Sequence, residues 1–507
     1  AASDVYKRQR DMYAVMQIVI RDGKLLEGIR KEQAITVEGL IEKRDEETYN
    51  PKIPTGTIEL DAKEVTVLGE VYSQLPFEVM TSKSVVHEDV RLKYRYLDLR
   101  NQKVKDNIIF RSKVISYLRE KMTSMGFLEL QTPILCASSP EGARDYIVPS
   151  RKFKGKFYAL PQAPQQYKQL LMVSGFDKYF QIAPCFRDED ARADRSPGEF
   201  YQLDFEMSFA TQEDVFKVGE EVLTAAFEKF APEGYEVTQA PYPIISYKQA
   251  MLEFGSDKPD LRNPLRIVDV TDFFQRCTFK PFHGKTVRAI NVHAKLSKGQ
   301  HEKLLKFAQS IGMGGLGYLE VLEDKSYKGP IDKFIPDDMK QEIADIAGLT
   351  PGDTIFFIAD REAQAALYAG QIRTELGNRL DLIEKNSYRF CYINDFPMYE
   401  YDNEEKKYIF THNPFSMPQG GLEALNTKEP SEILAYQYDI VCNGIELSSG
   451  AVRNHDLDIM VKAFEIAGYT EEDLKEKFGA LYNAFQFGAP PHAGTAPGVD
   501  RMIMLLR

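Results

Sequence analysis

Short runs of alternating apolar and polar residues dominate the chain before residue 89. They predict strands at 14–20, 34–41, 57–62 and 65–68, with turn-rich links such as 50–56 between them. Several short strands at this spacing predict a small β-barrel. Four strands are too few to close a barrel, so we expect its beginning to be missing. Residues 1–9 show no period, and we expect them to be foreign to the fold.

Beyond Asp89 the apolar residues recur every three or four positions, which predicts an amphipathic helix. Its apolar face comprises Ile108, Ile115, Leu118, Met122 and Met125. Gly126 is expected to end this helix. Residues 128–133 are expected to form a strand, and Pro133 should then lie at a sheet edge or an interface.

The pattern changes between 269 and 388, where a glycine-rich turn and a lysine-rich segment accompany separate helix and strand signals. We interpret this stretch as an inserted domain. From 389 onward long β-rich runs return, and the chain stops inside an apolar run with no helix stop signal, which suggests truncation. The predicted division is a partial barrel at 1–88, a hinge at 89–104, a first core part at 105–268, the insertion at 269–388, and a second core part at 389–507.

Composition narrows the class of protein. Apolar residues make up 43% and charged residues 28% of the 507, and no apolar run is long enough to cross a bilayer. The five cysteines are widely spaced, so we expect neither a disulfide framework nor a structural zinc site, and a reducing cytoplasm is the default location. A net charge of −12 argues against nucleic acid as a partner without excluding it. The acid-free segment 151–156 is one basic patch, although a solvated turn explains it better on its own.

The first candidate for chemistry is a charged loop between two predicted strands. The loop Phe186-Arg187-Asp188-Glu189-Asp190 follows a strand at 179–183, and 200–209 alternates cleanly. Tyr201 to Phe209 would form the apolar face of that second strand, and Gln202 to Ser208 its polar face. An arginine fork suits phosphate, while Asp204 and Glu206 suit an ammonium group. A solvent-facing charged hairpin would give the same pattern.

The second candidate is a hairpin with Asn443-Gly444 at its turn, which predicts type I′ geometry. Val441 would then lie opposite Glu446, and Asp439 opposite Ser448. Asp439 and Glu446 would share one face and can grip Mg²⁺ together with ATP phosphates, the alternative being two solvated acids. Arg453 follows the small-residue run 448–451, where a ligand can approach the strand closely and an arginine suits a carboxylate.

The third candidate, Gly498-Val499-Asp500-Arg501, enters an apolar helix, and a helix N-terminus is a natural anion site. This signal is weak by itself. A lone lysine such as Lys168, near a predicted helix start, is usually a surface residue, and a lone loop histidine such as His412 is more often structural than functional.

Together these segments resemble, in order, the three signature motifs of class II aminoacyl-tRNA synthetases. The helix ending at Gly126, with Pro133, resembles motif 1; 186–189 with the strand at 200 resembles motif 2; and 498–501 resembles motif 3. The strings 140–146, 255–262 and 446–453 are similar to the bacterial, aspartate-specific type, which also carries an insertion. The resemblance runs from Arg10 to the end. It implies an α+β fold, with an antiparallel sheet flanked by helices, a partial OB-type barrel that binds the anticodon, and an inserted α+β domain.

The resemblance also implies roles for single residues. Arg187 would bridge the ATP α-phosphate and the substrate carboxylate, and Phe200 would stack on adenine. Arg501 would hold the γ-phosphate, and Asp439 with Glu446 would hold Mg²⁺. The aspartate pocket, in which Lys168 and Arg453 would pair with the substrate side chain, would comprise Glu141 on a mobile loop, Gln165, Lys168, Arg187, Asp204, His412 and Arg453. The remaining ATP contacts would come from Asp188, Glu189, Ser196, Glu446, Gly498, Val499 and Asp500.

The implied reaction is activation of L-aspartate with ATP and transfer to the 3′ end of tRNA(Asp), by a homodimer away from any membrane. Two alternatives stay open: an enzyme that also charges tRNA(Asn), and a catalytically silent nucleic-acid-binding paralogue. The silent form is expected to have lost some of the charged motif residues, and all are present. Asparaginyl and lysyl types are disfavoured by the string at 257–262 and by the insertion. Departures from the motifs, such as Ser448-Ser449, Pro497, Gly198 and Asn413, are interpreted as subfamily variation.

Overall fold

A computed structural model describes residues 5–11, 14–79, 86–138, 143–189 and 198–507. The chain forms two compact units, residues 1–108 and 109–507. In the described ranges, no helix is both long enough and apolar enough to cross a membrane.

The first unit is built on a four-stranded sheet. Its strands are β1 (Val5–Arg10), β2 (Val15–Ile20), β3 (Ala34–Lys43) and β4 (Ile58–Gly69), in the order β1-β2-β4-β3. The two strands predicted at 57–62 and 65–68 are one strand, because Gly39 pairs with Ala62 while Glu38 pairs with Glu64. The extra residue is absorbed as a bulge, which interrupts the alternation without ending the strand. Two short helices follow, α1 (Glu88–Lys93) and α2 (Arg95–Asp98).

The helix predicted from the apolar repeat is α3 (Gln102–Ser124). It buries Val114, Leu118 and Met122 in the main core of the second unit. Gly126 has a φ of +84°, and the Phe127 N–H donates to the Met122 carbonyl at 3.1 Å. A left-handed glycine with this bond ends helices because it satisfies carbonyls of the last turn, so the predicted stop is confirmed.

The first stretch of the second unit supplies strands of the main sheet and the helices that cover it. Its elements are β5 (Leu128–Glu129), β6 (Ile147–Pro149), β7 (Phe157–Ala159), α4 (Gln165–Val173), β8 (Lys178–Phe186), β9 (Glu199–Ser208), α5 (Gln212–Phe230), β10 (Glu236–Val237), β11 (Ile244–Ser246) and α6 (Tyr247–Glu253). The strand predicted at 128–133 is reduced to β5, a two-residue edge strand parallel to β8.

The stretch predicted to be an insertion contains a separate antiparallel sheet in the order β12-β13-β16-β14-β15. β16 sends Ile355 and Phe357 into one apolar core and Phe356 and Ile358 into another, so both faces of this sheet are covered. The elements are β12 (Ile267–Asp269), α7 (Thr271–Arg276), β13 (Thr286–Asn291), α8 (Lys298–Ser310), β14 (Gly317–Val321), β15 (Tyr327–Lys328), α9 (Lys340–Ala347), β16 (Thr354–Asp360) and α10 (Glu362–Arg379).

The last stretch returns to the main sheet. Its elements are β17 (Ser387–Tyr388), β18 (Phe390–Asn394), β19 (Tyr399–Asp402), β20 (Lys407–Phe410), α11 (Gly421–Thr427), β21 (Gln437–Cys442), β22 (Ile445–Arg453), α12 (Leu457–Ile466), α13 (Glu471–Lys477), α14 (Gly479–Phe485), β23 (His492–Thr495) and α15 (Val499–Leu506). The eight-stranded main sheet has the order β11-β18-β21-β22-β23-β9-β8-β5, antiparallel except at its two edges. With helices around it, the predicted α+β class is confirmed.

β9 departs from its predicted pattern at the end. The strand stops at Ser208, and Phe209 has a φ of +55° and is 72% exposed. The prediction that Phe209 shares the apolar face was therefore wrong. The polar face of β9 is also not a solvent face, because Asp204 and Glu206 are fully buried.

Candidate active site

One cavity of about 700 Å³ opens over the main sheet of the second unit. Arg187, Arg453, Arg501 and Glu446 all line it, although they come from distant parts of the chain. The other predicted residues in its wall are Gln165, Lys168, Glu189, Phe200, Asp204, His412, Gly498 and Asp500. The predicted residues outside its lining are Asp188, Asp439 and Val499. Glu141 and Ser196 lie outside the described residues.

At one end of the cavity, two cations and two anions form a buried cluster. Lys168 on α4 places its Nζ 2.6 Å from Oδ1 of Asp204 and 3.3 Å from Oε2 of Glu206. Arg453 on β22 donates from Nε to Oε1 of Glu206 at 2.9 Å. The two acids lie two residues apart on β9 and therefore project to the same face. All four side chains are at most 3% exposed.

This burial excludes the solvent-facing hairpin as an explanation of the motif. Burial by itself raises the pKa of Glu206, but Arg453 and Lys168 outweigh it and hold that pKa below its ordinary value. Burial likewise lowers the pKa of Arg453, and Glu206 more than reverses the effect. A buried charge is tolerated only when it is paired and hydrogen-bonded. Taken as ionised, the cluster sums to zero charge.

A second layer of polar groups supports the cluster, and the sequence analysis missed it. The Tyr179 hydroxyl donates to Oδ2 of Asp204 at 3.0 Å, and Gln181 donates to that hydroxyl at 2.6 Å. Burial, followed by the charge of Asp204, raises the pKa of Tyr179, so the phenol stays protonated and can donate. The signal was present in the sequence, because Tyr179 and Gln181 share one face of the predicted strand before the charged loop. Nothing in the sequence pointed to His492, which lies 3.1 Å from Gln169 beneath the cavity.

Arg187 and Phe200 form the opposite part of the cavity. The guanidinium carbon of Arg187 lies 4.9 Å from the centre of the Phe200 ring, in cation–π range. Nε of Arg187 is buried and has no hydrogen-bond partner among the described residues. The Arg187 N–H donates to the Gly198 carbonyl at 2.9 Å, which fixes the start of the loop. Asp188 is placed by its own backbone, whose N–H donates to the Arg144 carbonyl.

The turn at 496–501 is fastened between β9 and β22. The Gly498 N–H donates to the Leu447 carbonyl at 2.7 Å, and Gly498 bridges to Gln202. Val499 is fully buried below the turn. Arg501 donates to the Glu446 carbonyl and has NH1 3.5 Å from Oε1 of the same residue.

Asp500 serves a structural purpose that its motif did not predict. Its Oδ2 accepts the Tyr201 N–H at 2.9 Å, and Oδ1 pairs with Arg111 on α3. The predicted contact of Asp500 with ATP therefore competes with two protein partners.

The β21–β22 hairpin has the predicted turn but a different register. Asn443 and Gly444 have φ of +53° and +80°, as type I′ requires, and Val441 lies opposite Glu446. Asp439, however, lies opposite Ser449 rather than Ser448, because the ladder slips between Ile440 and Val441. The prediction was wrong by one residue since a bulge adds one residue to β22.

In this register Asp439 and Glu446 are close enough for the charge of Glu446 to act on Asp439. Burial, and after it the charge of Glu446, raises the pKa of Asp439 well above its ordinary value. Oδ1 of Asp439 is buried and accepts no hydrogen bond from any described residue. Glu446 lines the cavity, and Asp439 does not. Among the residues that the structure describes, no three histidine, cysteine or acidic side chains form a group that could hold a metal ion.

His412, Gln165 and Gly450 complete the wall. The His412 ring packs edge-on against Phe396 at 4.8 Å, and burial lowers its pKa, so the imidazole is neutral at pH 7. Gln165 donates to Gln169 at 3.0 Å. A Cβ at Gly450 would come within 2.5 Å of the Gly494 carbonyl oxygen, so packing between strands already requires glycine there.

Comparison with known proteins adds a family and a set of relatives. The family described as tRNA synthetases class II (D, K and N) matches residues 87–507. The aspartate–tRNA(Asp/Asn) ligase of Ehrlichia chaffeensis is 56% identical over 509 residues, which cover 98% of this chain and 85% of the relative. The enzyme of the same name from Gluconobacter oxydans is 56% identical over 510 residues, with 98% and 84% covered.

Solved structures share the fold at low sequence identity. Asparaginyl-tRNA synthetase from Pyrococcus horikoshii complexed with asparaginyl-adenylate gives a TM-score of 0.58 at 17% identity, covering 100% of this chain and 88% of that one. Aspartyl tRNA synthetase from Entamoeba histolytica gives 0.57 at 18% identity, covering 100% and 83%.

Proposed function

Because the chain belongs to the class II tRNA synthetase family (D, K and N), we infer that it activates L-aspartate with ATP and transfers the aspartyl group to the 3′ end of tRNA(Asp). The names of relatives at 54–56% identity support aspartate as the amino acid. The observation that carries the proposal is the zero-charge cluster at the end of a cavity that also holds Arg187 and Arg501.

The amino-acid end of the cavity matches the charges of aspartate. We assign the α-ammonium group to Asp204 and the side-chain carboxylate to Arg453 and Lys168. The two substrate groups bring one positive and one negative charge, so the cluster stays neutral when it is filled. Asparagine would bring only the ammonium group and leave a net positive charge in a site with little access to water, which is costly. Gln165 and His412 close the pocket, and Glu141 is assigned to it by resemblance alone.

The nucleotide end is assigned to the residues around Phe200. The exposed part of that ring is assigned to stacking on adenine, and Arg187, which lines the same cavity, is assigned to the α-phosphate and the α-carboxylate. Arg501 is assigned to the γ-phosphate, with Gly498 beside it. Glu189 lines the same wall and is assigned to ATP. The corresponding roles of Asp188, Ser196, Val499 and Asp500 rest on resemblance.

Asp439 and Glu446 fit a magnesium ion that binds beside the phosphates of ATP. A buried carboxylate oxygen without a donor, next to a second carboxylate, calls for a cation. Two carboxylates are also the usual protein share of a Mg²⁺ site, the remaining ligands being waters and phosphates. The ion, when bound, would neutralise charge on the phosphates.

The proposed reaction has two steps, a substitution at the α-phosphorus and a substitution at the carbonyl carbon. In the first, an oxygen of the aspartate α-carboxylate forms a bond to the α-phosphorus while the α–β bridging P–O bond breaks and pyrophosphate leaves. In the second, a ribose hydroxyl of the tRNA bonds to the activated carbonyl carbon and AMP leaves. Charge grows on phosphate oxygens in the first step, and Arg187 and Arg501 are fixed cations that stabilise it. Holding both substrates close together in one cavity supplies the remaining rate acceleration.

We further propose that the chain charges tRNA(Asn) as well, since the relatives carry the name aspartate–tRNA(Asp/Asn) ligase. The first unit is assigned to the anticodon, and 269–388 is proposed as the inserted domain. A second copy of the chain is the proposed partner for the exposed side chains of Leu128, Ile134 and Leu135. The five cysteines are buried and form no disulfide with one another, which fits a reducing cytoplasm.

Aspartate-dependent ATP–pyrophosphate exchange tests the activation step. We expect exchange with aspartate and none with asparagine or lysine. Absence of exchange would refute the proposal and favour the silent nucleic-acid-binding alternative. Aminoacylation of purified tRNA(Asp) and tRNA(Asn) then separates the two forms of the enzyme, because a discriminating enzyme charges only the first.

A further inference from the structure

We propose that Lys258 is a positioning residue of the Asp439/Glu446 site: a tethered cation that balances Glu446 before the metal arrives and stays paired with Asp257 when the metal takes Glu446. This inference rests on the proposed function of that pair as magnesium ligands. Lys258 was noted in the sequence only as part of the string 255–262, with no role.

Lys258 lies between two carboxylates. Its Nζ donates to Oδ2 of Asp257 at 2.6 Å and lies 3.4 Å from Oε2 of Glu446. The closer contact is with Asp257, so Lys258 can release Glu446 and remain paired. Its side chain is 35% exposed and is not part of the cavity lining.

Glu446 therefore has a cation near each oxygen. Oε1 faces Arg501 at 3.5 Å, and Oε2 faces Lys258 at 3.4 Å. Neither contact is a close hydrogen bond, and both cations have other bonds to protein groups. A divalent ion that takes an oxygen of Glu446 must displace part of this arrangement. Arg501 can then pair with the phosphates of ATP, and Lys258 can remain paired with Asp257.

The loop that carries Lys258 is pinned against α10. Gly255 has a φ of +64°, and a Cβ there would lie 2.3 Å from the Ala366 carbonyl oxygen, so the backbones of loop and helix touch. Farther along, Arg373 of α10 is 2% exposed and donates to the carbonyls of Asp260 and Asn263 at 3.0 and 2.7 Å. Because both ends of the loop are held, Lys258 can move only through its own side chain.

The loop also abuts the hairpin that carries the metal pair. A Cβ on Gly444, at the turn between β21 and β22, would lie 3.3 Å from the Asp260 Cβ. Packing therefore fixes where the backbone of this loop lies next to the hairpin that carries Glu446. A surface lysine that met Glu446 by chance would lack this support.

The test measures Mn²⁺ binding to the full chain, by the electron paramagnetic resonance signal of free Mn²⁺ and by the rise in melting temperature with Mn²⁺. Lys258→Met removes the competing cation, so we expect Mn²⁺ to bind roughly fivefold more tightly, and the metal-free protein to melt at a lower temperature. Lys258→Arg should bind Mn²⁺ as the wild type does. Lys303→Met, an equal change of charge on the exposed face of α8, should have no effect.

Unchanged or weaker Mn²⁺ binding by Lys258→Met would overturn the proposal, as would absence of Mn²⁺ binding by the wild type. If Lys258→Met does not fold, Asp257→Asn provides the opposite change. It leaves Lys258 with Glu446 alone, and Mn²⁺ binding should weaken. Pyrophosphate exchange by the wild type separates this inference from the proposed function, because exchange can persist when the Mn²⁺ prediction fails.

Discussion

Replacement of Glu206 by glutamine tests whether the buried charges at the amino-acid end of the cavity balance one another. Glutamine nearly keeps the shape of the side chain and removes one of the two negative charges that face Lys168 and Arg453. Removing one partner of a buried ion pair costs about 3–5 kcal/mol, because the remaining charge is left uncompensated. Glu206 is 0% exposed and Arg453 2%, so water cannot take over. We expect the free energy of unfolding of the second unit to fall by about 3–4 kcal/mol at pH 7.

The loss should depend on pH with a definite sign. The pKa of Glu206 in the folded chain is lower than the 4.5 of an unperturbed glutamate. A carboxylate with a depressed folded pKa stabilises the protein above its unfolded pKa, and this contribution is lost as the pH falls through the folded pKa. The stability difference between wild type and Glu206→Gln should therefore be largest at neutral pH and shrink below about pH 4.5, at most by about 1.4 kcal/mol for each pH unit.

Urea denaturation followed by circular dichroism measures this difference, because the chain has no tryptophan to report by fluorescence. Hydrogen exchange of peptides from β9 and β22 assigns the transition to the second unit. Glu221→Gln is the matched control: its side chain is 54% exposed and pairs with Lys121, so the change should cost less than about 1 kcal/mol. A Glu206→Gln protein within 1 kcal/mol of the wild type at pH 7, or a difference that stays constant down to acid pH, would refute the charge-balance reasoning.

Three further outcomes follow from single contacts. Gly255→Ala should destabilise the second unit by more than about 2 kcal/mol in urea denaturation, since its Cβ would meet the Ala366 carbonyl, whereas Gly299→Ala in α8 has open space and should be neutral or stabilising. Asp439→Asn should melt at an equal or higher temperature than the wild type in metal-free buffer at pH 7. The raised pKa of Asp439 makes the folded wild type less stable as the pH rises above the unfolded pKa, and asparagine removes that cost. The variant should nevertheless lose pyrophosphate-exchange activity, and a lower melting temperature would contradict the reasoning. Phe200→Leu should raise the KM for ATP by a factor that corresponds to about 1–3 kcal/mol of lost stacking.

Local patterns predicted most of the elements that position the site. The alternation on β9, the glycine after α3 and the Asn-Gly turn each have a nearest-neighbour cause, and each is present in the structure. The family resemblance, which combined several such segments, is confirmed by the match over 87–507.

The errors have a common physical origin in contacts that are distant in sequence. The polar face of β9 looked like a solvent face because Lys168 lies 36 residues away and Arg453 lies 247 residues away from the acids they cover. The bulge in β22 left no sign in its composition, so the register of Asp439 could not be read from the turn. The sequence did not indicate a role for Lys258 for the same reason, because its partner Glu446 is far along the chain. The loop that carries Lys258 is held by α10, another contact distant in sequence.

We expect charge balance to let this site select aspartate without enclosing it tightly. A cavity of about 700 Å³ that must also admit ATP cannot exclude asparagine by shape, because the two amino acids have nearly equal size. Under the proposed assignment, the buried cluster excludes asparagine by electrostatics. Arg453 is already held by Glu206, so its position is fixed before the substrate arrives, and the gain from a second carboxylate is not spent on ordering the side chain. A neutral amide in the same place would leave the donors of Lys168 and Arg453 short of one negative charge where water cannot supply it.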